Sequence, residues 1–189
     1  MLVLILGLVL FLGFHSVRIF APGWRDGMVA RLGAGPWRGL YSLVSIVGVV
    51  LIVWGYGLSR QDPIVVYDPP MALRHLTMLL VLIAFICFAV SLMPAGKLKP
   101  KLKHPMLAAV KIWAFGHLLV NGDLASILLF GSFLAWAVVD RISLKRRPGV
   151  VIPAPGPVRN DLIAAAVGVV AYLLFVWQLH TLLIGVPVM

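Results

Sequence analysis

Six apolar runs, at residues 1–20, 39–58, 72–93, 105–120, 124–139 and 162–186, take up most of this 189-residue chain. A helix needs about 20 residues to cross a hydrocarbon core about 30 Å thick. The bilayer offers the backbone no outside hydrogen-bond partner, so such runs must become helices or closed barrels. Composition agrees with a membrane solvent: 62% of residues are hydrophobic and 12% are charged, against about 45–50% and about 25% in soluble domains. The expected fold is all-α, an integral membrane bundle of about six transmembrane helices. The fourth and fifth runs are short, with only Asn121-Gly122-Asp123 between them. They are expected to form a tight transmembrane hairpin rather than a re-entrant pair. The first run lacks a basic leader and a small-residue cleavage pattern, so it reads as a retained span and not a signal peptide.

The net charge of +10 would suggest nucleic acid in a soluble protein. Here the basic residues fall between the apolar runs and alternate. The first connection holds Arg25, Arg31 and Arg38. The third holds Lys97, Lys99, Lys101 and Lys103. The fifth holds Arg141, Lys145, Arg146, Arg147 and Arg159. The second has only Arg60 and Arg74, and the fourth has no basic residue. The positive-inside rule then puts the odd connections in the cytoplasm and both termini outside. The expected location is multi-pass, in the inner (plasma) membrane of a bacterium, with the lipid bilayer as partner and no nucleic acid.

The domain expectation follows from the same reading: a five-span membrane domain at 1–147, a linker at 148–160 and a C-terminal transmembrane helix at 161–189. The linker contains RRPGVVIPAPGPVR, whose prolines favour an extended chain over a folded module. No internal repeat of the transporter kind stands out.

Motifs of soluble enzymes are missing, among them the Walker loop, GxGxxG, HExxH and GxSxG. The chain has no Glu, its six acidic residues are all Asp at run ends or in connections, and paired acid–base carboxylates are not expected. The single Cys87 excludes an internal disulfide and a CxxC site.

Histidine remains: His15, His75, His104, His117 and His180. His75 and His104 lie at run ends, where an interfacial role suffices. His15 and His117 sit deeper, where an ionisable side chain is costly and usually faces a partner or a cavity. On a helical wheel, His104, Ala108, Lys111 and Phe115 share one stripe. Val110, Trp113, His117 and Asn121 share another. Lys111 has a flexible stem that can snorkel to the headgroups or meet an anion; His117 has no such reach. Two neutral imidazoles in an apolar bundle suit haem iron. Zn²⁺ suits this chain less, because it prefers three or four protein ligands. The aromatic neighbours Trp113 and Phe115 suit a flat apolar ligand, and equally suit plain helix packing.

The motifs GFHSVR and KHPMLAAVKIWAFGHLLVNGD, in this order and spacing over roughly 1–147, resemble the NnrU family of membrane proteins. The resemblance implies a link to denitrification and nitric oxide metabolism. The 15-cis-zeta-carotene isomerases are similar to that family, and they are haem b proteins whose iron redox state controls double-bond isomerisation. Carried over by motif, their two histidines match His15 and His117, which makes these the implied haem-iron ligands, with His75, His104 and His180 as alternatives. Arg18 and Lys111 are then candidate partners of the haem propionates, and Trp113 a wall of the pocket. The cysteine that the isomerases carry before the second histidine is Ala114 here, and a further histidine falls near Trp136. These departures weigh against isomerase activity more than against haem. The implied function is nitric-oxide-linked or redox chemistry beside respiratory or denitrification enzymes, with a polyene or other lipid-like substrate as one version. The rival is a cofactor-free accessory protein for a respiratory enzyme. The His-Pro stretch also resembles part of membrane methyltransferases, whose Glu-rich C-terminal region has no counterpart here.

Overall fold

A computed structural model describes residues 1–188. Among them the chain is helical, with no strand beyond one isolated antiparallel bridge between Val65 and Asp123. In chain order the helices are α1 Leu2–Phe20, α2 Pro22–Leu32, α3 Ala34–Ser59, α4 Leu73–Leu92, α5 Leu98–Leu102, α6 Pro105–Leu118, α7 Leu124–Arg146, α8 Val158–Leu174 and, after a π-helical turn over Phe175–Leu179, α9 His180–Ile184. Five segments are long and apolar enough to cross a membrane: α1, α3, α4, α7 and the run Val158–Ile184. The sixth, α6, has 14 residues and spans about 21 Å.

The strongest packing links the long helices in the order α3–α1–α7–α6–α4–α8, with α3 also touching α7. Without a hydrophobic force between helices in lipid, close approach of small residues supplies much of the contact. Gly7 of α1 faces the backbone of α3, where a Cβ would stand 2.6 Å from Ile52 N. Gly55 of α3 in turn lies against the Leu4 backbone. At the other end of the row Gly168 of α8 sits on α4, where a Cβ would come within 2.7 Å of Ile86 Cα. The main core joins α1, α3, α6 and α7 through Leu4, Leu8, Ile52, Ala114, Ala125, Leu129 and Phe130. Large apolar side chains such as Trp54 and Leu173 stay exposed, as a lipid-facing surface requires.

Two polar clasps fix the ends. At the turn between α6 and α7, Leu124 N donates to Ile64 O at 2.8 Å and Val66 N to Gly122 O at 2.8 Å. The α3–α4 loop therefore lies on the turn, and α6 runs away from the lysine-rich end towards it. Asp123 caps α7, accepting from Ser126 N at 2.9 Å and from Ser126 Oγ at 2.6 Å. The Ser126 hydroxyl spends its one hydrogen on Asp123, so Tyr56 must donate to it across 2.9 Å. This fully buried serine ties α3 to α7. At the lysine-rich end, Asp161 accepts from Lys97 N at 2.7 Å and Leu98 N at 3.1 Å, and Lys99 Nζ donates to Ser91 O and Met93 O at the end of α4. Away from that end, Arg60 Nη1 donates to Ile184 O at 2.9 Å, which ties the last helix back to α3.

Two expectations change in detail. Much of the first connection is helix: α2 starts on Pro22, a residue already fixed for a helical first position, and Arg38 lies inside α3. The fifth connection shrinks to 147–157, because α7 continues to Arg146 and α8 begins at Val158. The last helix packs against α4. Ala164 is buried with Ala89 and Val90 of α4, and Asn160 Nδ2 donates to Ala95 O at 2.9 Å. Met189, the end of the expected final helix, lies outside the described residues.

Candidate functional site

His15 and His117 share one local device. In a helix, the carbonyl of residue i−4 is within reach of a side chain that turns back towards the N-terminus. Nδ1 of His15 lies 2.8 Å from Phe11 O, and Nδ1 of His117 lies 2.9 Å from Trp113 O. A carbonyl only accepts, so each Nδ1 carries the proton and each Nε2 holds the lone pair. Each histidine makes its hydrogen bond through Nδ1, and Nε2 of neither takes part in one among the described residues. This is the tautomer a metal-binding imidazole needs, oriented by a backbone carbonyl as such ligands usually are.

The two rings stand apart. His15 stacks on Phe11 with centroids 4.1 Å apart, and has Tyr41 of α3 at 5.0 Å and Trp136 of α7 edge-on at 5.9 Å. His117 stacks on Phe130 of α7 at 4.6 Å, with Trp113 at 5.3 Å. Phe133 bridges the groups, 5.7 Å from Phe11 and 5.7 Å from Trp113. On α7 the two histidines are level with Trp136 and Phe130, six residues apart, which is about 9 Å along the helix. Phe11, Phe133 and Trp113 fill the space between them. The two imidazoles therefore belong to separate aromatic clusters joined through Phe133.

Around His15 there is a further sign. Trp136 Nε1 is the buried side-chain nitrogen or oxygen that has no hydrogen-bond partner among the described residues. A buried donor without an acceptor costs free energy, and its ring is edge-on to the imidazole. An acceptor on a ligand bound at His15 would satisfy it. Arg18, one turn further, has an exposed side chain; its carbonyl accepts from Arg147 Nη2 at 3.2 Å. The basic end of α1 therefore offers two guanidinium groups to an anionic edge.

The remaining residues disperse. Trp113 faces Phe130 and Phe133, but Lys111 lines a different groove, with Leu80 of α4 and Leu134 of α7. Lys111 and Trp113 therefore do not face one pocket. His75 is exposed at the start of α4. His104 is the N-cap residue of α6. Burial first, then Arg141 and Lys103, push its pKa below the ordinary imidazole value, against the opposing pull of Asp140. His180 follows the π-helical turn and has Nδ1 2.7 Å from Val186 O. Among the described residues no group of three or more His, Cys, Asp or Glu is placed to hold a metal ion. Tyr41, Phe130, Phe133 and the orphaned Trp136 were not foreseen as site residues. The only sequence signal was the aromatic residue four positions before each histidine, Phe11 and Trp113.

No curated protein and no solved structure matches the chain. A family model described as NnrU protein matches residues 3–188. The match runs through α8 and α9, beyond the reach of the two histidine motifs, in keeping with a last helix packed into the bundle. This chain, a multi-pass membrane protein by its five long apolar helices, belongs to the NnrU family.

Proposed function

We infer that this protein is a six-span inner-membrane protein, both termini outside, that carries haem b on a span histidine and serves nitric-oxide-linked or redox chemistry. The observation that carries the reading is the pairing at His15: a lone-pair Nε2 fixed by the Phe11 carbonyl, beside the unpartnered indole N–H of Trp136. His15 would hold the iron, Trp136 would donate to an acceptor on the ligand, and Arg18 with Arg147 would meet the propionates. His117 is the alternative candidate ligand. A haem b held by His15 would supply iron chemistry towards a small gas such as nitric oxide. Respiratory or denitrification enzymes are the partners this chemistry implies. An apolar polyene substrate is the weaker version, because Ala114 and Trp136 replace the additional ligand-type residues of the isomerases.

The packing between the histidines supports a second reading, a cofactor-free accessory protein. There the imidazoles would be packing elements, stacked on Phe11 and Phe130. The visible spectrum of protein purified in detergent after expression with haem precursor separates the two. The haem reading expects a Soret band that shifts with dithionite, is lost in folded His15→Ala and is retained in His117→Ala. A colourless, haem-replete and folded wild-type protein leaves the accessory role.

A further inference from the structure

Between α4, α6 and α7 runs a groove of ≈ 350 Å³ lined by Leu80, Ala108, Lys111, Ile112, Phe115 and Leu134. Its size falls within the usual range of ligand sites, about 300–1,000 Å³. Five of its six lining residues are apolar, and the sixth is a half-buried lysine. The ion pair among the described residues joins Arg25 and Asp26, so Lys111 has no carboxylate. Lys111 stands seven residues beyond His104, about 10 Å up the helix, where an unpaired cation is costly and faces a partner or reaches for the interface. Its own stripe runs through Ala108 to His104, towards the lysine-rich end. The walls are helices exposed to lipid, so the groove opens sideways to the bilayer. Charge at one point and hydrocarbon along the rest describe an amphipathic anion.

We propose that this groove binds an anionic membrane phospholipid, its phosphate on Lys111 Nζ and one acyl chain along Ile112, Phe115, Leu80 and Leu134. Ala108, small and on the same stripe one turn nearer the lysine-rich end, leaves room beside the lysine for the glycerol and headgroup. The site lies on a different face of α6 from Trp113, and it stands whether or not haem is bound.

The test uses the full chain reconstituted in phosphatidylcholine vesicles with phosphatidylglycerol as a minority lipid. It is then re-extracted in mild detergent, and the lipid retained per chain is counted by native mass spectrometry. Wild type is expected to keep one phosphatidylglycerol in preference to phosphatidylcholine. Lys111→Met should lower that retention at least tenfold, and Lys111→Arg should keep it. Ala108→Phe, which fills the groove and leaves the charge, should lose it as well. Lys101→Gln, which removes a surface charge of the same end, should not. Equal retention of the two lipids by wild type, undiminished retention in Lys111→Met, or undiminished retention in Ala108→Phe overturns the site. If Lys111→Met does not fold, Ala108→Phe and Lys111→Arg decide alone.

Discussion

Among the described residues Lys103 is the one that takes a positive φ, 62°, without being glycine. With ψ at −50° and His104 N donating to Leu102 O at 2.7 Å, it centres a three-residue turn of the strained γ kind. The turn has a physical origin in the sequence: Pro105 bars His104 from helical backbone, so the chain must reverse between α5 and α6 in very few residues. Lys103→Gly is expected to relieve the strain and raise stability by about 1 kcal/mol, read as a higher unfolding midpoint in micelles. No change, or a loss, would mean the turn is not strained. At the same scale, the histidines show what a sequence can and cannot tell. Their depth in apolar runs was legible at once. Their tautomers were not, because these depend on a backbone carbonyl one turn away. Nor was the separation of His15 from His117, which depends on Phe133 coming from a third helix.

Helix termini and contacts carry the next level. Asp123 serves both the first turn of α7 and the buried Ser126. Asp123→Ala should cost about 1–2 kcal/mol, with Asp123→Asn close to wild type, as measured by thermal unfolding in micelles. Glycine position within one helix gives a sharper contrast. Gly55 lies against the α1 backbone, while nothing stands within 4 Å of a Cβ at Gly57. Gly55→Ala should therefore destabilise by about 1–3 kcal/mol through overpacking. Gly57→Ala should stabilise by up to about 1 kcal/mol through helix propensity. Equal effects would show that α1 and α3 are not in close contact. The long helices α1, α3 and α4 were legible within a few residues, because a single hydropathy signal sets their length. The amphipathic-poor α2 was not, since its polar PGWRDGMVARL has no apolar face to announce a helix. The end of α7 was also missed, because its last two turns run beyond the apolar stretch into Asp140 to Arg146.

For the whole molecule, alternation of charge and alternation of helix direction agree: the α6–α7 turn pairs with the α3–α4 loop, while the lysines gather at the opposite end. With Cys87 buried, single cysteines report sidedness. In intact cells a membrane-impermeant maleimide should label Asp68→Cys and spare Lys101→Cys. The reverse pattern would invert the proposed orientation. The order of the row, with α8 beside α4 rather than α7, was not legible, because glycine contacts such as Gly168 on Ile86 depend on which faces meet. In the function proposed above, one histidine, His15, would hold haem. Electron paramagnetic resonance of the haem-replete ferric protein tests it most directly. The expected result is a high-spin axial signal that disappears in His15→Ala and persists in His117→Ala. A low-spin bis-imidazole signal lost in either variant would contradict it, since Phe11, Phe133 and Trp113 would then have to vacate the space between the two rings.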